Sequence, residues 1–381
     1  MYSNVFWRPS IRKTRLLGVA AALALLATLF ATAPAGAIIN GAPVNAGSQE
    51  NMAIGRLRTA GGGWCTATLI SPNLVLTAAH CVSSQVVRPQ GGIDQVRDPI
   101  ANISFRVDNT GNGNVDFGDT ALDVLRVEFP PEYRQKTGPG NGADIALVEL
   151  TAPVIGVTPF QLDYRDVDPG DRITFYGRGQ RGPNTSAFDQ NANGVLQVGS
   201  AVVSSRTCGN GDPLCLNGVD NGTSASCNGD SGGPGFIGGS GITTVHIASE
   251  TTGCAQDVVI QVEVGRYEGW IRETVIGTRR CNGLVPTVVM DLGETPTGVA
   301  DVILGTAARD VIRGLNGHDT ICGRGGHDLI YGGNGRDRIY GGNGRDEIRG
   351  NAGNDTLFGS CLLYTSPSPR DRTRSRMPSS A

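Results

Sequence analysis

Eight residues, Cys227-Asn-Gly-Asp-Ser-Gly-Gly-Pro234, bring a hydroxyl, a carboxylate and three glycines together. They read as the setting of a nucleophile. A serine hydroxyl such as that of Ser231 is weak by itself, and it needs a base to take its proton and donors to hold the oxyanion that forms. Glycines let backbone N–H groups turn toward one point, so Gly229 and Ser231 are the expected pair of oxyanion donors. An isolated Gly-Asp-Ser-Gly is more often an ordinary turn, and the chemistry therefore depends on partners elsewhere in the chain.

Two stretches supply them. Thr77-Ala-Ala-His80-Cys81 sets a histidine just after a predicted strand, and Asp144-Ile-Ala-Leu-Val148 sets a carboxylate just before another. An imidazole can take the serine proton while a buried aspartate holds its tautomer and stabilises the imidazolium. Of His80 and His246, the two histidines between residues 38 and 277, only His80 is flanked by small residues and a cysteine that could fix it.

In that order, Thr77-Ala-Ala-His-Cys81, Asp144-Ile-Ala-Leu and Gly229-Asp-Ser-Gly-Gly-Pro234 resemble the trypsin and chymotrypsin family of serine endopeptidases. The resemblance implies a double β-barrel over residues 38–278 with a C-terminal helix and the site between the barrels. Protein or peptide would be the substrate, and catalysis would need no cofactor. His80 would be the general base, Asp144 its orienter and Ser231 the acylated nucleophile. A freed amino group on Ile38 would turn inward to pair with Asp230. The family's disulfides map onto Cys65 with Cys81, Cys208 with Cys215, and Cys227 with Cys254, in keeping with an oxidising compartment. In the substrate pocket, Ala225 stands where trypsin has its selecting aspartate. Ser249-Glu250-Thr251 replaces the usual Ser-Trp-Gly, so that Thr251 narrows the pocket. One alignment puts Asp257 near the pocket base, and the preferred side chain stays open. The rival class is a catalytically inert, protease-like adhesin or calcium-dependent binding protein; inert relatives usually lack a triad residue, and all three are here.

These residues need a frame, and the chain supplies one. Four basic residues lead into the apolar run Leu16 to Phe30 and then Ala35-Gly-Ala37, the pattern of a secretory signal peptide over residues 1–37. Cleavage after Ala37 leaves Ile38 first, a secreted protein and no membrane span. From Ile38 to about Gly277, short apolar runs (Ala67–Ile70, Leu74–Leu76, Ile145–Leu150, Ile173–Tyr176, Val258–Val264) alternate with Gly, Pro and Asn clusters. That is an all-β pattern. One helix is expected, over Tyr267–Ile276. Cysteines lacking paired Cys-x-x-Cys spacing in an exported chain are not expected to bind metal. Asp108-x-Thr-x-Asn-Gly113 with Asp119, and Asp189-x-Asn-x-Asn-Gly194, resemble the start of a calcium loop, but Asn/Gly-rich surface turns are the stronger reading.

Residues 279–300 read as a linker with one strand over Val285–Met290. Glycine is densest after it, with 15 of the chain's 56, and residues 301–360 repeat every nine. Asp310, Asp319, Asp328, Asp337, Asp346 and Asp355 mark the period, each followed two positions later by Ile or Leu. The unit Gly332-Gly-Asn-Gly-Arg-Asp-Arg-Ile-Tyr340 resembles the RTX-type nonapeptide, which implies a parallel β-roll folding with Ca²⁺ on those aspartates. Residues 361–381 break the period, and Cys361 to Asp371 matches an in-frame reading of a sequencing adaptor. They are expected to be an artefact that truncates the array. Without Cys361, Cys281 and Cys322 become a candidate fourth pair. The net charge is −3, and it is more negative once the basic leader and tail are set aside. An acidic body with no basic stripe argues against nucleic acid as partner and is compatible with cations.

Overall fold

The computed structural model describes residues 38, 41–87, 93–115, 119–135, 143–179, 194–206, 214–217, 224, 226–227, 229–239, 241–249, 258–277, 279–359 and 364–365. Its first half holds strands β1 (Ala42–Pro43), β2 (Ile54–Arg58), β3 (Trp64–Ser71), β4 (Leu74–Thr77), β5 (Ser83–Val87), β6 (Ile93–Arg97), β7 (Ser104–Arg106), β8 (Leu122–Glu128) and β9 (Ala146–Leu150). Strands β2, β3, β4, β9, β8 and β7 close into a barrel. The expected runs at Ala67, Leu74 and Ile145 lie in or directly against β3, β4 and β9. These strands are buried on both faces, which is why they read as continuous apolar runs rather than alternation.

Next come β10 (Arg172–Gly177), β11 (Gln197–Ser205), β12 (Leu214–Asn217), β13 (Pro234–Phe236), β14 (Ile242–Ser249) and β15 (Val258–Glu263). They run in the order β11-β10-β13-β14-β15-β12, and pairing of β11 with β12 closes this second barrel, with β1 added along β11. Bulges between Gly235 and Phe236 and between His246 and Ala248 bend β13 and β14 just beside the candidate serine. The buried core spans the first barrel and reaches Val245, Ile247 and Val262 of the second.

A helix over Glu268–Ile276 (α2) buries Ile271, Val275 and Ile276, close to expectation. A second helix was not expected. Gln49–Ala53 (α1) is five residues long, too short for periodicity to reveal, and it starts at Ser48, whose side chain accepts from Asn51 N at 3.2 Å. In the Asp108 stretch the carboxylate is buried and accepts from the amides of Gly111 and Gly113 at 2.7 Å each. The Asp189 stretch lies outside the described residues.

The C-terminal part comprises β16 (Val288–Val289), β17 (Val302–Leu304), β18 (Val311–Arg313), β19 (Thr320–Cys322), β20 (Leu329–Asn334), β21 (Arg338–Tyr340), β22 (Glu347–Ala352), β23 (Thr356–Phe358) and β24 (Tyr364–Thr365). Odd-numbered strands β17 to β23, led by β16, form one parallel sheet, and β18, β20, β22 and β24 form a second. One nine-residue unit thus crosses from one sheet to the other, and two units complete a coil. Ile303, Ile312, Ile321, Ile330, Ile339 and Ile348 point between the sheets and are fully buried. Each contributes roughly 2 kcal/mol through burial, and no single coil can bury its own.

Residues 279–300, read as a linker, pack instead. Strand β16 pairs with β17. Val289 and Leu292 join the core of the barrels, and Asp291 is buried, accepting from Ser71 Oγ of β3 at 2.6 Å and from Arg324. Cys281 and Cys322 form a disulfide. The roll is therefore anchored directly on the first barrel.

Candidate active site and calcium roll

His80 sits on a tight turn, Ala79–Cys81, at the end of β4. Its ring Nδ1 is 2.8 Å from Asp144 Oδ2, and its backbone N–H donates to Asp144 Oδ1 at 2.9 Å. Asp144 is fully buried, so both of its oxygens are committed to one residue. That fixes the imidazole with Nδ1 protonated and Nε2 free to accept. Burial works against the imidazolium, yet the charge and hydrogen bond of Asp144 outweigh it and raise the His80 pKa above 6.5. His246 goes the other way: buried, its pKa falls to about 3, with the charge of His80 as a second cause. The two histidines are thus shifted in opposite directions, and only the pKa of His80 is raised.

Cys81 is bonded to Cys65. Its sulfur is 3.7 Å from His80 Nε2 and 3.9 Å from the Ser231 carbonyl oxygen, so histidine and serine both lie close to one atom. Cys65, His80 and Cys81 also form the one cluster of metal-ligand types among the described residues, but its two sulfurs are spent on each other. The Ser231 hydroxyl donates to Ile247 O at 3.0 Å. In this arrangement its proton is directed at that carbonyl.

Gly229 adopts φ +91°, and a Cβ there would lie 2.9 Å from Gly179 Cα. Only glycine fits this left-handed, closely approached position. Asp230 is buried and accepts from Cys227 N at 2.7 Å and Gly179 N at 2.8 Å. Burial still pushes its carboxyl up to about 7, the two amides opposing. Among the described residues no cation acts on it. The Ile38 side chain is fully buried among Val167, Ile173 and Phe175 of the second barrel, with room made by Gly199, where a Cβ would fall 2.6 Å from Ile38 Cγ2.

In the roll, the aspartates stack with an 18-residue step. Oδ1 of Asp319, Asp328, Asp337, Asp346 and Asp355 accepts the amide of the aspartate two units before it, at 2.8 to 3.0 Å. Oδ2 of Asp319, Asp328, Asp337 and Asp346 is buried with no hydrogen-bond partner among the described residues. Burial raises the carboxyls of Asp319 to about 6 and Asp328 to about 7. A ladder of buried, unsatisfied carboxylate oxygens fits a hard cation. Asp310 differs, because both of its oxygens accept from Thr306, through N at 2.7 Å and Oγ1 at 2.8 Å.

Comparison with known proteins decides the family: the Trypsin family matches residues 38–271, more than half of the chain. This is a trypsin-family protein. It is a serine-type peptidase, and its C-terminal part matches the RTX calcium-binding nonapeptide repeat over residues 297–330 and 331–360. "Serine protease 1" of Canis lupus familiaris is 28% identical over 225 residues, 56% of this chain and 80% of that protein. "Trypsin" of Saccharopolyspora erythraea is 30% identical over 227 residues, 56% of this chain and 88% of that one. Among solved structures, neuropsin, a serine protease expressed in the limbic system of mouse brain, is 20% identical and covers 62% of this chain and 98% of its own, with a TM-score of 0.47.

Not every expected site residue of this peptidase can be placed. Ala225, Thr251 and Asp257 of the pocket lie outside the described residues, and of Ser249 only the backbone, paired with Val259, is described. Cys215 and Cys227 are each disulfide-bonded, whereas their expected partners, Cys208 and Cys254, lie outside. Two residues escaped the sequence reading. Arg178, between two glycines, is 1% exposed and donates to Ile54 O at 2.5 Å, Asn51 O at 2.6 Å and Asn51 Oδ1 at 2.7 Å. Burial lowers its pKa to about 9. Thr66 binds both Arg178 and Gly229 through its hydroxyl. Neither sits in a motif, so only the tertiary fold reveals them.

Proposed function

We propose that this peptidase is a secreted endopeptidase that cleaves peptide bonds through Ser231, His80 and Asp144, with a roll that takes up calcium on its aspartate ladder. The His80–Asp144 contact at 2.8 Å carries the reading. Ser231 Oγ attacks the scissile carbonyl carbon while His80 Nε2 takes its proton. Asp144 keeps the ring in the accepting tautomer and stabilises the imidazolium. The carbonyl electrons move onto oxygen, where the N–H groups of Gly229 and Ser231 receive them. Collapse breaks the C–N bond, the amine leaves with the proton from His80, and water repeats the cycle to release the acyl group. Ser231→Ala should lower turnover about a million-fold with folding unchanged. A variant that retains turnover would remove Ser231 as the nucleophile.

Activation belongs to the same proposal. Cutting after Ala37 frees an amino group on Ile38, whose side chain is already seated in the second barrel, and the buried Asp230 is the anion it would neutralise. Secreted protein should begin Ile-Ile-Asn-Gly; a longer N-terminus in active protein would contradict this. In the roll, Asp319, Asp328, Asp337, Asp346 and Asp355 are the proposed ligands, joined by backbone carbonyls of the glycine turns. Bound there, Ca²⁺ screens aspartates that otherwise repel along the stack.

A further inference from the structure

Both proposed oxyanion donors are held from behind by one residue. Thr66 N–H donates to the Ser231 carbonyl at 2.8 Å, and Thr66 Oγ1 donates to the Gly229 carbonyl at 2.9 Å. The same hydroxyl accepts from Arg178 N–H at 2.9 Å. A hydroxyl has a single proton. With the Arg178 amide aimed at its lone pairs, that proton points at Gly229 O and nowhere else. Thr66 is fully buried, its χ1 is stiffened by β-branching, and its own carbonyl accepts from Thr77 Oγ1 at 3.0 Å. Gly229, by contrast, has no side chain to fix it and sits at φ +91°. Something outside the loop must set the peptide planes on either side of it.

Behind Thr66 stands a second rigid group. The fully buried Arg178 guanidinium binds backbone oxygens of Asn51 in α1 and Ile54 in β2 of the first barrel, and the amide of the next residue, Gly179, binds Asp230 at 2.8 Å. The segment Gly177-Arg178-Gly179 is thus pinned to both barrels, and it is what keeps the acceptor side of the Thr66 hydroxyl occupied.

We propose that Thr66 is a positioning residue whose hydroxyl, by holding the Gly229–Asp230 peptide that lies between the two donors, aims the Gly229 and Ser231 N–H groups at the developing oxyanion. It never touches substrate. The inference rests on the oxyanion roles proposed above and adds the residue that sets their geometry. Because oxyanion donors act on the transition state more than on bound substrate, loss of the hydroxyl should appear in kcat and not in KM. The affected loop is also the one a tetrahedral adduct feels.

The test uses the full chain in active form, with Thr66→Val, which keeps the shape and removes the hydroxyl, and Thr66→Ser, which keeps the hydroxyl. Thr66→Val should lower kcat about tenfold or more, leave KM within about twofold, and weaken a peptide aldehyde, whose adduct carries an oxyanion, by the same factor as kcat. Thr66→Ser should restore most of both. Thr66→Ala, which leaves room for water against the Arg178 amide, serves if the valine variant does not fold, and the same loss is expected. Unchanged kcat in a folded hydroxyl-free variant, an equal loss in KM, or a serine variant as impaired as the valine one would overturn the proposal. A wild type that never turns over would remove the oxyanion reading itself, whereas an active wild type beside a fully active Thr66→Val removes only the role of Thr66.

Discussion

His80 and Asp144 show what a single contact decides. The carboxylate raises the imidazole pKa above 6.5 despite burial, and the base must be neutral to act. The acid limb of kcat/KM should therefore lie above pH 6.5, with activity rising as pH climbs through it. Asp144→Asn should move the limb downward and cut kcat about ten thousand-fold through the wrong tautomer, the size of loss that this substitution brings to a chymotrypsin-type triad; an unmoved limb would mean that Asp144 does not set the pKa. The His80–Asp144 pair was legible in the sequence because each member sits in a short motif of small residues. Thr66 and Arg178 were not, since a buried hydroxyl and a buried guanidinium acting through backbone atoms have no sequence signature.

Elements explain why neighbouring residues behave differently. The loop carrying Asp230 buries a carboxyl whose pKa rises from 3.8 to about 7. The folded state then holds that proton more tightly than the unfolded one. Folding stability should fall as pH rises from about 4 to 7, by on the order of 4 kcal/mol at most, in chain still joined to residue 37 at Ile38. Thermal unfolding across that range measures it, with Asp230→Asn as the control of smaller slope, since the raised roll aspartates remain in both; equal slopes would contradict it. In the roll, Asp337→Asn should weaken calcium binding about tenfold or more. Asp310→Asn should leave the affinity within about twofold, because Thr306 already occupies both oxygens of Asp310. Calorimetric titration of the full chain separates the two. The period of nine made the roll legible, but the Thr306 hydrogen bonds to Asp310 were not, because the aspartate register continues unbroken through it. Short apolar runs gave the barrel strands, whereas α1 is too brief for any period to show.

At the scale of the whole molecule, the barrels and the roll are one structure. Val289 and Leu292 sit in the barrel core, Asp291 bridges Ser71 and Arg324, and the Cys281–Cys322 bond closes a separation of 41 residues. Pro286, Pro296 and little periodicity made residues 279–300 read as a linker, since a segment that packs through four or five side chains has no periodicity to display. Removing that disulfide with paired serines should cost about 3 to 4 kcal/mol, read as an earlier melting of the roll; an unchanged melt would show that β16 and Asp291 suffice. The central claim, a serine endopeptidase acting through Ser231, is tested most directly by treating the active protein with a peptidyl phosphonate and mapping the adduct by mass spectrometry. The account predicts one adduct, on Ser231, absent from Ser231→Ala and strongly slowed in His80→Ala. Peptide cleavage by wild-type protein that carries no adduct on Ser231 would contradict it.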